Sequence, residues 1–487
     1  MKLAAKSVLT VLLVLVVCGI ACAGSEQELY VGWAVRDIFT DEPVALLGHF
    51  NLRISDKILD PITCTALALE TRDGDTSVET AIMVSCDLCI ITREMQVNVR
   101  KAVKSRNGQI DPDKVFLNAT HTHNAPVPTE TDWYNVPKEG VMQVADYGKF
   151  LTGQIADAVV EAWKSRKRMG MSWGLGQAVI GHNRRAVYSE LQSEWLGENM
   201  ALMYGETNKK SFRGIEGYED HSVKMLFFWD DAEKLTGILL NVACPAQERE
   251  GGTGITADIW HDVRVNIRKK FGNDIFIFPQ CAVAGDQSPH LLYRKAAERE
   301  MLRRKGIQSW QELGNRIGRS LDEVMPYAKH GIKRKLVFKH DIDVVELPKR
   351  RITKQERDDS FERYQQWKGK EDARESFFKT VVDQYENQDK VPPCLPMEMH
   401  VIRLGDIAIA TNAMETFLDY GVQIESRSMA ILTFTVQLAC DSGGYLPTSK
   451  AVAGGHYSAI IQSGIVGPEG GQVLVEKTVD KINSMWE

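Results

Sequence analysis

What this sequence has little of narrows the field first. Beyond its first seventeen residues no stretch is apolar enough to span a membrane. Cysteine is scarce and scattered. Cys64, Cys86, Cys89, Cys244, Cys281, Cys394 and Cys440 form an odd set, too thinly spread for a disulfide framework. Positive charge is not in excess either. The formal net charge is −6, and removing Lys2 and Lys6 with a leader takes it to −8. That mild acidity argues against nucleic acid and against standing attachment to anionic lipid. No internal repeat is visible.

The chain opens with Lys2 and Lys6, an apolar run over 8–17, and the small residues Ala21-Cys22-Ala23. This is a signal peptide over 1–23, with the mature chain starting near Gly24; the run is too short for a membrane span. A lipoprotein anchored through Cys22 ranks second, because Gly19 is a poor start to a lipobox. The expectation is an exported protein, periplasmic or secreted, with no stable membrane span. With 487 residues there is room for two or three domains or one large one. We read one large domain over 24–487.

Periodicity supplies the elements. YVGWAVRDIF alternates as a strand, and strands near 64–70 and over 81–91 flank the turn Asp73-Gly74-Asp75. Helical spacing is expected over 93–105 and 147–166, and further strands over 171–180, 224–229, 235–243, 397–404, 407–411 and 430–437. Strands and helices mix without strict alternation. The expected class is α/β (mixed), with mixed β-sheets and helices packed on them. Segment 348–389 is rich in Lys, Arg, Glu, Asp and Gln, with Phe361, Tyr364, Trp367, Phe377 and Phe378 interspersed. It reads as a charged helical insertion with a narrow apolar seam, its charge mostly a solvated face.

The chemistry centres on KVFLNATHTHNAP at 114–126, a strand running into His121 and His123. If the extended geometry persists, both imidazoles project to one side, as a zinc site needs; a pair of surface histidines in a turn is the bland alternative. Four other places hold residues able to complete a site: Arg184 in GHNRR, Cys244 at a strand end before Pro245, Ser288 in GDQSP, and Glu415 with Tyr445. The turn around Ser288 is not a G-x-S-x-G elbow. Cys86 and Cys89 have C-x-x-C spacing inside an apolar run, where two core thiols are the default.

These places recur in the same order in one family. The chain resembles the catalytic domain of the neutral (alkaline, non-lysosomal) ceramidases. Gly32, Asp37-Ile38, Thr40 and Gly48 are similar to that family's opening segment, and 118–126 to its ATHTHSGP block. Asn183-Arg184 resembles the start of NRSP, 285–289 resembles GDVSP, and 442–457 resembles the final tyrosine-containing run. The resemblance implies a Zn2+ hydrolase with His121, Glu415 and Tyr445 as ligands. Cys244 stands where the family has a further histidine, with His261 or His123 as replacements. It also implies Ser288, His123, Arg184 and Tyr457 around a scissile amide. The substrate expected is a small-molecule or lipid N-acyl compound. An ester or sugar derivative on the same fold, or a non-catalytic exported binding protein, are the alternatives. The family's additional C-terminal immunoglobulin-like domain has no room before Glu487, so ceramide itself is not implied.

Overall fold

The computed structural model describes residues 26–487; the signal peptide expected over 1–23 lies outside the described residues. Alternation builds the first sheet. In Gln27–Asp37, Leu29, Val31 and Trp33 face one core while Ala34 faces another. Thr63–Asp73 pairs with it antiparallel, Thr76–Cys86 follows antiparallel, and Val115–Ala119 is added parallel. On the outer face Ala66 and Ala68 are small, so helix Val144–Lys164 lies close. A Cβ at Gly32 would stand 2.0 Å from the Ala162 carbonyl, which only glycine tolerates. The strand expected over 81–91 stops at Cys86. There Asp87 leaves the ladder to accept the Thr63 amide at 2.8 Å and a two-point bond from Arg264.

Two further sheets complete the inner layers. One runs Phe276–Cys281, Leu235–Val242, Ser222–Trp229, Gly170–Gln177, its first pair parallel. The other runs Phe338–Pro348, Cys394–Leu404, Ile407–Thr411, Leu432–Val436, its last pair parallel. Phe116, Leu239, Phe278, Ile409 and Phe434 from all three sheets share one core. Helices cover the outward faces. Arg93–Arg106 and Val144–Lys164 pack on the first sheet, Ile259–Phe271 and Ser309–Ala328 on the second, Leu418–Arg427 and Pro468–Ser484 on the third. The class is mixed α/β.

Each sheet thus contains one parallel pair, and the six carboxyl ends are stitched together. Thr120 N donates to Cys86 O at 2.9 Å, Ala119 N to Leu438 O at 3.2 Å, and Gln437 N to Cys281 O at 3.1 Å. Ala282 N donates to Val242 O at 2.8 Å, and Asn412 N to Val436 O at 2.8 Å. Crevices at the carboxyl ends of parallel strands are where open α/β sheets hold ligands. The residues that follow these ends are the ones singled out by sequence.

Segment 348–389 interrupts a hairpin, since Phe338–Pro348 and Cys394–Leu404 pair antiparallel. It holds helices Lys354–Trp367 and Arg374–Asn387, the first started by a capping box between Thr353 and Glu356. Its seam is not idle: Phe377, Phe378 and Val381 are buried. They pack beside Leu196 and against Phe50, Tyr457 and Ile461.

Candidate metal centre

The strand Val115–Ala119 ends before the histidines. The extended path does not persist: His121 adopts φ +66°, a left-handed conformation uncommon for a residue with a side chain. Its amide and that of Thr122 both donate to Leu88 O, at 3.0 and 3.2 Å, which holds the kink. The His121 ring is buried. Nδ1 lies 2.6 Å from the Cys89 carbonyl, an acceptor only, so Nδ1 carries a proton and Nε2 is the nitrogen turned to the site. Nε2 stands 3.2 Å from Glu415 Oε2. A backbone carbonyl behind a histidine is the arrangement that orients metal ligands.

Glu415 arrives from the third sheet. The short strand Glu415–Thr416 runs parallel to Tyr445–Leu446, with Glu415 opposite Tyr445. Gly285 braces it from behind: its amide donates to Thr416 O at 2.7 Å, and a Cβ there would stand 2.2 Å from Glu415 O. The Tyr445 hydroxyl, on the same side as the Glu415 carboxylate and helping to hold its pKa down, receives Arg184 Nη2 at 3.1 Å. Arg184 also donates to Gly285 O at 2.8 Å. Tyr457 stacks edge-on to Tyr445, ring centres 5.5 Å apart. Burial raises the Glu415 pKa, but His121, Arg184 and Tyr445 outweigh it and hold the carboxylate below its ordinary range. Burial likewise opposes the His121 imidazolium, yet Glu415 carries the ring's pKa well above its usual value. The two shifts describe one coupled pair: a carboxylate and an imidazole poised to share a cation.

His123 follows, its ring centre 4.9 Å from that of His121. Both its ring nitrogens are buried without a hydrogen bond. Nδ1 is 3.1 Å from Glu250 Oε2 but out of line for one. Burial lowers its pKa, with Glu250 opposing.

Two sequence candidates are not brought to this point. Cys244 is fully buried, and its thiol meets the carbonyls of Ile180 and Pro245, each at 3.4 Å. Burial pushes its pKa well up. The group of potential ligands around His121 contains Cys89 and His123, not Cys244. Ser288 pairs with His182 in a two-stranded bridge, and its Oγ accepts the His290 amide at 2.9 Å. The reason lies in the preceding Asp286, which accepts Leu418 N at 2.8 Å and Asn183 Nδ2 at 2.7 Å and folds the GDQSP turn inward. His261 lies on helix Ile259–Phe271 and belongs to no potential ligand group among the described residues. Cys89 was missed by sequence. Only its partner Cys86 is a plain core thiol; Cys89 borders the cavity below.

These groups sit at the polar end of a cavity of about 520 Å3. His121, His123, Glu415 and Tyr445 line that end; the rest is lined by Phe50, Trp133, Phe377, Val381, Tyr457 and Ile461 together with polar residues such as Glu130, Thr380, Gln384 and Asp441. Apolar walls with a few convergent polar groups are the usual make-up of a small-molecule site. Two other clefts, about 570 and 580 Å3, border helix Lys295–Lys305. Their charged walls largely pair among themselves, as Arg316 does with Glu298 and Glu312.

A different histidine–carboxylate group, Glu398, His400 and Cys440, also has ligand spacing. Arg100 grips Glu398 with two bonds, 3.0 and 2.6 Å, and His400 Nε2 lies 2.8 Å from the same carboxylate. His340 Nε2 meets His400 Nδ1 at 2.9 Å, and Phe116 stacks on the His400 ring at 4.4 Å.

No family model matches the chain and no curated protein sequence does. Among solved structures, the neutral ceramidase from Pseudomonas aeruginosa matches with a TM-score of 0.68 at 15% identity, covering 94% of this chain and 74% of that one. A second, described as ceramidase complexed with C2, matches with a TM-score of 0.67 at 15% identity, covering 94% and 75%. At this identity the likeness establishes a shared fold.

Proposed function

We infer, from that fold and from the site it frames, that the chain is an exported zinc-dependent hydrolase of ceramidase type, cleaving the amide of an N-acyl lipid or small molecule. The observation that carries this reading is the pairing of His121 Nε2 with Glu415 Oε2 at 3.2 Å, beside the Tyr445 hydroxyl, at the polar end of an apolar cavity. The donor set suits zinc: one imidazole whose Nε2 proton a metal would replace, one buried carboxylate, one phenol. When bound, zinc supplies Lewis acidity, polarising a carbonyl and lowering the pKa of water towards neutrality.

The chain's own residues supply the rest. The Arg184 guanidinium, anchored on Gly285 O, faces the site through the Tyr445 hydroxyl and offers positive charge where an oxyanion develops. Tyr457, packed edge-on against Tyr445, adds a second hydroxyl bordering the same cavity. His123 presents unbonded ring nitrogens for proton transfer to a leaving amine. Ser288 acts from behind, holding the His290 backbone. The apolar walls at Phe50, Phe377 and Val381 receive an acyl chain and exclude water.

The non-catalytic alternative draws on the place of Cys244 in the core rather than at the site. One experiment separates the two. Purified full chain is assayed against a panel of N-acyl lipids, with and without zinc, beside a chelated control. Chelator-sensitive release of free fatty acid supports the hydrolase. Stoichiometric lipid binding without release, unchanged by zinc, supports the binding protein.

A further inference from the structure

One constellation next to this site shares only His123 with these roles. His49, His123 and Glu250 each offer a ligand atom, and the three atoms lie within 4.8 Å of one another. They come from separate segments: His49 from the loop after Leu46, His123 from the end of the His-x-His segment, Glu250 from the loop after Leu235–Val242. We propose that they form a second divalent-metal site, a set of two histidines and one carboxylate with zinc-type preferences. The proposal goes beyond the hydrolase reading and stands without it.

Three observations carry it. The first is the state of the donors. His49 Nε2 and both nitrogens of His123 are buried without a hydrogen bond. Buried polar atoms in folded proteins nearly always have partners, so unbonded nitrogens on two histidines beside one carboxylate need an explanation. A cation placed among them satisfies His49 and one nitrogen of His123, each histidine giving a single ligand atom.

The second is bracing. Arg53 bonds the carbonyls of Leu47, His123 and Gly252 and the side chain of Asn124. Asn124 Nδ2 bonds Gly251 O at 3.1 Å and Gly254 O at 2.9 Å. Arg53 therefore spends its donors on backbone around the site, clamping the Glu250 loop over His123. At Gly48 a Cβ would stand 2.8 Å from the His123 Cα, so the His49 loop is pressed onto the same residue. Ligands fixed this way by outer bonds are what a metal site requires.

The third is access and outer support. His49 and His123 both border the cavity, which gives an ion a way in. Glu250 is supported by Gln247, which donates at 3.1 Å, and by His290 Nδ1 at 3.6 Å. With an ion in place, His123 serves as ligand and no longer as the proton donor of the proposed reaction, while charge stabilisation stays with Arg184.

The test is metal stoichiometry on the full chain. Protein stripped with chelator is titrated with zinc and with cobalt, read by calorimetry, elemental analysis and the visible cobalt spectrum, with circular dichroism to confirm folding. The wild type is expected to take up about two equivalents. Glu250→Gln and His49→Gln should each remove the same one, and Glu415→Gln the other. The proposal is overturned if folded Glu250→Gln and His49→Gln both keep wild-type stoichiometry and cobalt spectrum, or if the wild type binds neither metal. Should Glu250→Gln abolish all binding while Glu415→Gln abolishes none, this site stands and the His121–Glu415–Tyr445 assignment fails.

Discussion

The groups around Glu415 and Glu398 use the same chemistry, a histidine against a carboxylate, and end in opposite states. At Glu398 the carboxylate is gripped by Arg100, the histidine is backed by a second histidine, and Phe116 lies flat on the ring. At Glu415 the nearest guanidinium bonds the tyrosine instead, and the imidazole opens onto a cavity. Arginine in the bidentate position supplies the cation that a metal would otherwise supply. Where it is displaced onto a phenol, the carboxylate keeps a free coordination edge. The difference separates a group closed within the fold from one that opens onto the cavity and is proposed to hold a metal.

That contrast breaks most sharply on Glu415→Gln, which keeps the shape and removes the charge. Zinc affinity is expected to fall by more than the roughly hundredfold typical of changes to outer supporting residues. Thermal stability without metal should also fall, because His121 loses its buried ion-pair partner, so zinc is titrated on protein shown to be folded; a variant that keeps zinc would dissolve the distinction. Next comes Arg184→Ala, expected to lower kcat on an N-acyl substrate by about 10²–10³-fold with zinc content retained. Steady-state kinetics beside metal analysis would read it.

On the other side, Arg100→Ala strands Glu398 beside His400. Both side chains are mostly buried, so the expected loss is about 2–3 kcal/mol of unfolding free energy, measured by denaturant titration, with metal uptake unchanged. The smallest effect is on pH. Burial and His400 hold the His340 pKa well below 6.5, so below that pH the unfolded chain binds a proton that the native chain does not. Stability is then present above pH 6.5 and falls on acidification, by up to about 1.4 kcal/mol per pH unit for one such group. The depressed Glu398 carboxyl adds a second loss below 4.5. Arg100, Lys114, Glu79 and Glu398 are the charged groups facing this pair. His340→Phe should flatten the upper part of the curve.

Much of this was written locally in the chain. Strict alternation in Gln27–Asp37 and the Asp73-Gly74-Asp75 turn placed the first sheet, because one buried face leaves little choice of register. Ile407–Thr411 was read to the residue. His121 was singled out by its place after a strand in a His-x-His pair, Glu415 and Tyr445 by resemblance alone, since nothing in their spacing marks them. What could not be read was direction. The left-handed turn at His121 depends on Leu88, the inward fold at Ser288 on Leu418 and Asn183, and the retreat of Cys244 on Ile180. All are partners far away in sequence. Glu250 and His49 carried no local signal at all, for the same reason.

Gly285 carries this lesson furthest. Its bare Cα is what allows the Glu415 backbone to sit where it does. A single methyl group there would act as a wedge driven between two sheets, shifting the carboxylate without touching any reactive atom. The reach of the acidic ligand is thus governed by a position with no chemistry of its own, and a census of functional groups would pass over the residue that sets the site's dimensions.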